Sequence, residues 1–186
     1  ENSGYYGGAL ATGEGSTATI LESTLSGNTS EGGYGGAIYT SEFSTFTISE
    51  STISGNTSVD GYGGGIYIGE YSEVTVLQSS ISNNLAEGGG GVYAGEHSTI
   101  TITDSVIGGN IADYGGGMAL EPVNLRIVNS TISGNEARGG SGGALYIEGG
   151  TVELINSTLS GNQASDNGGA IYAYDEGGAA AVGLVS

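Results

Sequence analysis

GGAIYTSEFSTFTISESTISGN, Gly35 to Asn56, decides the fold of this chain. Its apolar residues alternate: Ile38 points one way and Tyr39 the other, Phe46 and Ile48 share a face from which Thr45 and Thr47 turn away, and Ile53 repeats the pattern. A period of two marks a half-buried strand, and no segment carries the 3.6-residue stripe of a helix. Three short strands of β-branched and aromatic residues, separated by Gly, Ser, Asn and Glu, therefore make one unit.

The unit repeats along the chain. Phrases of the form Ser-Thr-Leu-Ser-Gly-Asn begin at Ser23, Ser51, Ser79, Ser105, Ser130 and Ser157, at spacings of 28, 28, 26, 25 and 27 residues. A second phrase, Gly-Gly-Ala-Ile-Tyr, begins at Gly35, Gly63, Gly89, Gly142 and Gly168, with degenerate copies at Gly7 and Gly115. A fixed period of this length means one structural unit stacked on itself. The expected fold is all-β, a single right-handed parallel β-helix (β-solenoid) of about 6–7 turns, three short strands per turn, without evident terminal caps. Repeats fall near 7–34, 35–62, 63–88, 89–114, 115–141 and 142–167, with a partial one at 168–186. Each strand pairs with its own copy about 4.8 Å away, and the right hand follows the general preference of parallel crossovers.

Stacking turns inward positions into columns. One runs Leu10, Ile38, Ile66, Val92, Met118, Leu145, Ile171; a second Ile20, Ile48, Val76, Ile102, Ile127, Leu154; a third Leu25, Ile53, Ile81, Ile107, Ile132, Leu159. Each buried aliphatic is worth about 1.5–3 kcal/mol, which offsets the ordering entropy of a chain with 39 glycines. Apolar residues make up 37% of the sequence and recur at fixed places, so the glycine content does not signal disorder.

Charge excludes whole classes of partner. Twenty Asp and Glu face two Arg and no Lys, a formal net charge of −18, so phosphate backbones and anionic lipid are repelled. Neither nucleic acid nor membrane insertion is expected. No apolar stretch is long enough to span a bilayer, and the start at Glu1 reads as that of a mature or excised segment. The absence of cysteine removes disulfides and thiolate metal sites.

The recurring asparagines Asn28, Asn56, Asn84, Asn110, Asn135 and Asn162, with Asn2 as a seventh member, read as a structural ladder of stacked side-chain amides. Asn28, Asn56, Asn129 and Asn156 also open formal glycosylation sequons. Ladder asparagines would make such matches accidental.

At Gly35-Gly36-Ala37-Ile38 and Ile53-Ser54-Gly55-Asn56 the chain resembles the glycine-rich β-helix repeats of bacterial surface proteins, including passenger domains of chlamydial polymorphic outer-membrane proteins. There the paired signatures are Gly-Gly-Ala-aliphatic and Phe-x-x-Asn, and here Leu or Ile replaces Phe. The resemblance spans nearly the whole chain and implies an exported cell-surface protein with adhesive or scaffolding duties.

Outward positions align as well. Glu14, Glu42, Glu70, Glu96, Glu121, Glu148 and Glu176 form one acidic column, and Glu31, Asp60, Glu87, Asp113 and Asp166 a second. Carboxylates one rung apart repel by about 1 kcal/mol in water and more near a protein surface. Splaying into solvent, calcium (Ca2+) between rungs or partial protonation would relieve this. Arg126 is expected to pair with Glu153, and Arg138 with the rungs of Asp113 and Asp166. Tyr39, Tyr67, Tyr93, Tyr146 and Tyr172 form an aromatic row beside the small residues Ala37, Gly65, Gly91, Ala144 and Ala170, either bracing the sheet or offering a lateral contact for carbohydrate or a host surface.

Three functions compete. A polysaccharide-degrading or carbohydrate-binding β-helix of the tailspike or lyase kind would need a base or an acid–base pair. Glu50, Asp104 and Glu153 each sit inside a repeating column, and His97 follows Glu96 without a triad partner. Ice binding would use the threonine pairs Thr17/Thr19, Thr45/Thr47 and Thr99/Thr101, but Glu73, Asn124, Arg126 and Glu153 interrupt that array. The favoured expectation is a non-enzymatic extracellular scaffold without cofactor. In it Glu1 and Asn2 at one end would meet Val182, Leu184 and Val185 of the next copy, giving a head-to-tail homopolymer; alternatively the chain is a stalk within a longer surface protein.

Overall fold

The computed structural model describes residues 1–174 and 180–185, and every regular element in them is a β-strand. Leu10–Thr12, Ile38–Thr40, Ile66–Ile68, Val92–Ala94, Met118–Leu120, Leu145–Ile147 and Ile171–Ala173 build a first seven-stranded sheet. Thr17–Leu21, Thr45–Ser49, Glu73–Leu77, Thr99–Thr103, Val123–Val128, Gly150–Ile155 and Ala181–Val185 build a second. Thr24–Ser26, Thr52–Ser54, Ser80–Ser82, Val106–Gly108, Thr131–Ser133 and Thr158–Ser160 build a third, of six strands. All pairings are parallel, each strand joining its own copy in the next turn, so the molecule is a parallel β-helix of about seven turns.

Register follows the repeat letter by letter. Leu10 pairs with Ile38, Ile38 with Ile66, and so on to Leu145 with Ile171. The second column extends to Leu184 opposite Leu154, and the third runs from Leu25 to Leu159. Interior members such as Ile38, Ile48, Ile53, Ile81 and Ile132 are fully buried and form one continuous core.

A short fourth ladder lies beyond the asparagines. It joins Ser3–Tyr6, Thr29–Tyr34 and Thr57–Ser58, continues through a bridge at Leu85, and resumes as Ile111–Ala112, Glu136–Ala137 and Gln163–Ala164. The uneven spacing of the repeat arises at two sites. The loop after this ladder loses two residues between Asp60 and Glu87 and regains two after Ala137, and the corner at Glu121 is one residue shorter than at Glu96.

Serine, which reads in sequence as a spacer, forms ladders of its own at two corners. The backbone N–H of Ser23 donates to Ser51 Oγ at 3.0 Å, and the pattern repeats through Ser79, Ser105 and Ser130 to Ser157. Ser44 and Ser72 donate in the same way to Ser72 and Ser98. These bonds satisfy amide groups that the corner leaves without strand partners.

Candidate functional site

The asparagine column is a saturated hydrogen-bond ladder. The Oδ1 of Asn56 accepts both the backbone N–H and the side-chain Nδ2 of Asn28, each at 2.9 Å, and Asn84 does the same for Asn56. The series continues through Asn110 and Asn135 to Asn162, and Asn2 joins as its first rung. The Nδ2 groups also reach backbone carbonyls of the third sheet, as from Asn84 to Ile53 at 3.1 Å. No donor remains for a ligand along the interior rungs. Of the sequons, Asn28 and Asn56 are buried while Asn129 and Asn156 stand exposed and bonded to each other at 2.8 Å.

The small residue of the Gly-Gly-Ala phrase serves this ladder. A Cβ on Gly65 would approach Asn84 Nδ2 to 3.1 Å, and one on Gly91 would approach Asn110 Nδ2 to 3.0 Å. Gly65 and Gly91 thus back onto amides, which corrects the view of these positions as mere flanks for the tyrosine row.

Tyr39, Tyr67 and Tyr93 occupy the middle of three-residue strands and pair in register; Ala119 takes the fifth rung before Tyr146 and Tyr172 resume the row. Their rings stack, 5.4 Å apart from Tyr39 to Tyr67 and 5.3 Å from Tyr67 to Tyr93, within 13° of parallel. A second column begins with Tyr6 and Tyr34 at the ends of the first two strands of the fourth ladder and continues through Tyr62, Gly88 and Tyr114 in the loop that follows it. The two interlock. Tyr6 stacks on Tyr39 one rung from Ala11, Tyr62 lies 4.8 Å from Tyr93, and Tyr114 lies 4.9 Å from Tyr146 beside the gap at Ala119. Gly88 leaves room for this packing, since a Cβ there would sit 2.7 Å from the Tyr114 ring and 2.9 Å from that of Tyr62.

Ring faces in this band cover one another, so edges and hydroxyls are what the row presents. Burial pushes the Tyr67 and Tyr114 phenols upward, with neighbouring Tyr39 and Tyr62 adding to it. Tyr93 is raised by burial first and then by its hydrogen bond to Glu121. A folded-state value above the ordinary phenol value of 10.0 means that full stability holds below that pH and declines as pH rises beyond it. We expect alkaline titration to ionise Tyr67, Tyr93 and Tyr114 only together with unfolding. Phenolate absorbance that reaches the full value for all twelve tyrosines while the β-sheet circular dichroism stays intact would contradict this.

The band also relieves the acidic corner. Glu14, Glu42, Glu70 and Glu96 are exposed on successive rungs, whereas Glu121 is half-buried, accepting from the Tyr93 hydroxyl and, at 3.2 Å, from the Glu96 backbone N–H. Glu148 is half-buried beside Tyr146 and Tyr174; burial raises the Tyr146 phenol and the hydrogen bond with Tyr146 raises that of Tyr174, and Glu148 adds to both. Glu176 lies outside the described residues. Among the described residues, no three His, Asp or Glu side chains converge to hold a metal ion.

The arginines differ from each other. Arg126 Nε donates to Glu153 Oε2 at 2.9 Å from the neighbouring rung, as the row predicts. Arg138 does not turn to Asp113 or Asp166; its Nη2 meets Glu136 Oε2 at 3.0 Å. Glu136 is two residues earlier, and a period of two places both side chains on the same face. The acids weighed for catalysis stay apart: Glu50 and Asp104 are exposed at one corner with Gln78 on the rung between them, and Glu153 is held by Arg126 on the second sheet. In the threonine array, Thr19, Thr47, Thr75 and Thr101 align before Arg126 and Glu153 end the row, and Glu73 breaks its neighbour.

One corner column was not visible in the sequence: Phe43, Tyr71 and His97, each about half exposed, stack ring on ring. At the ends of the coil, Glu1 is exposed beside Gly27, and Val182, Leu184 and Val185 lie on the last strand of the second sheet, with Leu184 74% exposed where Leu154 in the same column is 3% exposed.

A family model described as a right-handed β-helix region matches residues 3–183. The chain belongs to the right-handed β-helix family. The family fixes the hand of the coil and includes both pectate-lyase-like enzymes and non-enzymes. No curated protein and no solved structure matches this β-helix.

Proposed function

We propose that this β-helix is a non-enzymatic extracellular scaffold, a rigid rod extended along its axis by a second copy or by the rest of a longer surface protein. The observation that carries the reading is the separation of the candidate acids: Glu50 and Asp104 stand on a solvated corner with Gln78 between them, and Glu153 is tied to Arg126, so none faces a partner suited to proton transfer. Catalytic sites break a repeat, and here the ladders run through it. Axial extension fits the construction of the coil, in which each turn joins its neighbours only along the axis, through the strand ladders and the aliphatic columns. Extracellular placement follows the resemblance to bacterial surface repeats. A carbohydrate-binding reading is weaker, because stacking of sugars needs open ring faces and the tyrosine band closes its own.

Electron microscopy of the purified chain tests the scaffold. Rods many times longer than one coil are expected if a copy supplies the extension, and single short rods if the remainder of a longer chain does. Release of new reducing or unsaturated ends from polysaccharides incubated with the protein would overturn the non-enzymatic reading.

A further inference from the structure

The corner between the first and second sheets demands a left-handed backbone. Gly15 meets that demand with φ +66°, and a Cβ there would touch nothing within 4 Å. On the next three rungs the position holds Phe43, Tyr71 and His97, at φ +55°, +54° and +60°. Bulky side chains rarely adopt this conformation, and glycine would serve the turn at less cost. Another left-handed corner holds Glu22, Glu50, Gln78, Asp104, Asn129 and Asn156, so the conformation is general to the coil and what sets this corner apart is its aromatic rings.

The rings are also exposed. Phe43 and Tyr71 stack at 5.1 Å within 8° of parallel, Tyr71 and His97 approach to 4.8 Å, and Phe43 and Tyr71 keep 53% and 50% of their surface in solvent. Each ring follows an exposed carboxylate, Glu42, Glu70 or Glu96, and Glu73 stands exposed on the adjoining strand. His97 Nε2 lies 3.6 Å from Glu96 Oε2. Arg126 and Arg138, the only two basic residues apart from this histidine, are both paired elsewhere. The ridge therefore joins ring surface to negative charge, with His97 as its one basic group.

We propose that the Phe43–Tyr71–His97 ridge docks an arginine-bearing segment of another protein. A guanidinium is flat, stacks on aromatic rings and forms forked bonds to carboxylates, so one group satisfies both halves of the surface. A bare divalent cation would use only the carboxylates, which do not converge. A second copy of this chain has no free arginine to give. Three rungs span about 10 Å, the length of roughly three residues of extended peptide.

Binding of a synthetic hexapeptide of alternating arginine and glycine, measured by calorimetry at physiological ionic strength, provides the test. The triple variant Phe43→Gly, Tyr71→Gly, His97→Gly retains every carboxylate and adopts the residue the corner already accepts at Gly15. It is expected to bind at least tenfold more weakly while its melting temperature holds or rises. A control variant, Asp60→Asn with Glu87→Gln and Asp113→Asn in the distant acidic column, is expected to bind as the parent does. Equal binding by the triple-glycine variant would reduce the effect to diffuse charge attraction and overturn the proposal. Absence of binding by the parent, a fall in melting temperature showing that the rings are structural braces, or weakening by the control variant would overturn it equally.

Discussion

Replacing Asn84 by alanine is expected to lower the stability of the coil by about 3–5 kcal/mol, as several buried partners are stranded at once. Asn84 is 1% exposed and sits mid-ladder. Its Oδ1 accepts the backbone N–H and the Nδ2 of Asn56, both at 2.9 Å, and its Nδ2 donates to Asn110 Oδ1 at 3.0 Å and Ile53 O at 3.1 Å. Each unsatisfied buried group costs about 1–3 kcal/mol, with incomplete additivity because the four bonds share one network. The loss should also be local. Each turn contacts only its neighbours, so a weakened middle rung divides the rod into two blocks and splits the urea-unfolding transition into two steps. Asn2→Ala, at an exposed terminal rung where the side chain makes one such bond, from Nδ2 to Asn28 Oδ1, is the reference and is expected to cost about 1 kcal/mol. A loss at Asn84 no larger than at Asn2 would falsify the view that the ladder holds the interior turns together.

The difference between what sequence revealed and what it hid follows the register of the repeat. The aliphatic columns and the asparagine ladder were legible because residues of one chemical kind recur at one place in every copy, and a period of two fixes their face. The second tyrosine column was not, because the loop before Gly88 is two residues shorter than the one before Tyr62, so the letters fall out of step while the chain stays in step in space. Phe43, Tyr71 and His97 escaped notice for another reason: they occupy one structural position with three different residues, and nothing in their identity announces a left-handed backbone. The serine ladders were hidden by the ordinary role of serine in turns. Arg138 was misplaced because columns suggest partners above and below, whereas its partner Glu136 lies on its own rung.

Gly64→Ala is expected to cost roughly 3 kcal/mol or more, well beyond the usual effect of one methyl group. The backbone at Gly64 is not left-handed, so conformational strain plays no part, and the cost is steric. A Cβ there would lie 2.4 Å from Gly90 O and 2.6 Å from Leu85 O, both backbone atoms of the next turn. Those carbonyls have no freedom to retreat. Gly64 N–H donates to Gly89 O at 3.1 Å and Gly65 N–H to Gly91 O at 3.1 Å, so opening the space breaks the hydrogen bonds that join the two turns. Gly55→Ala separates this effect from backbone strain. Gly55 has φ +63° and open space where its Cβ would point, so its replacement incurs only the left-handed penalty of about 1–2 kcal/mol. Urea-unfolding midpoints of the two variants give the comparison directly. Close approach of successive turns, rather than turn conformation, then explains the second glycine of the Gly-Gly-Ala phrase if Gly64→Ala is clearly the more damaging; equal losses would show that the turns yield to the added Cβ and would overturn that explanation.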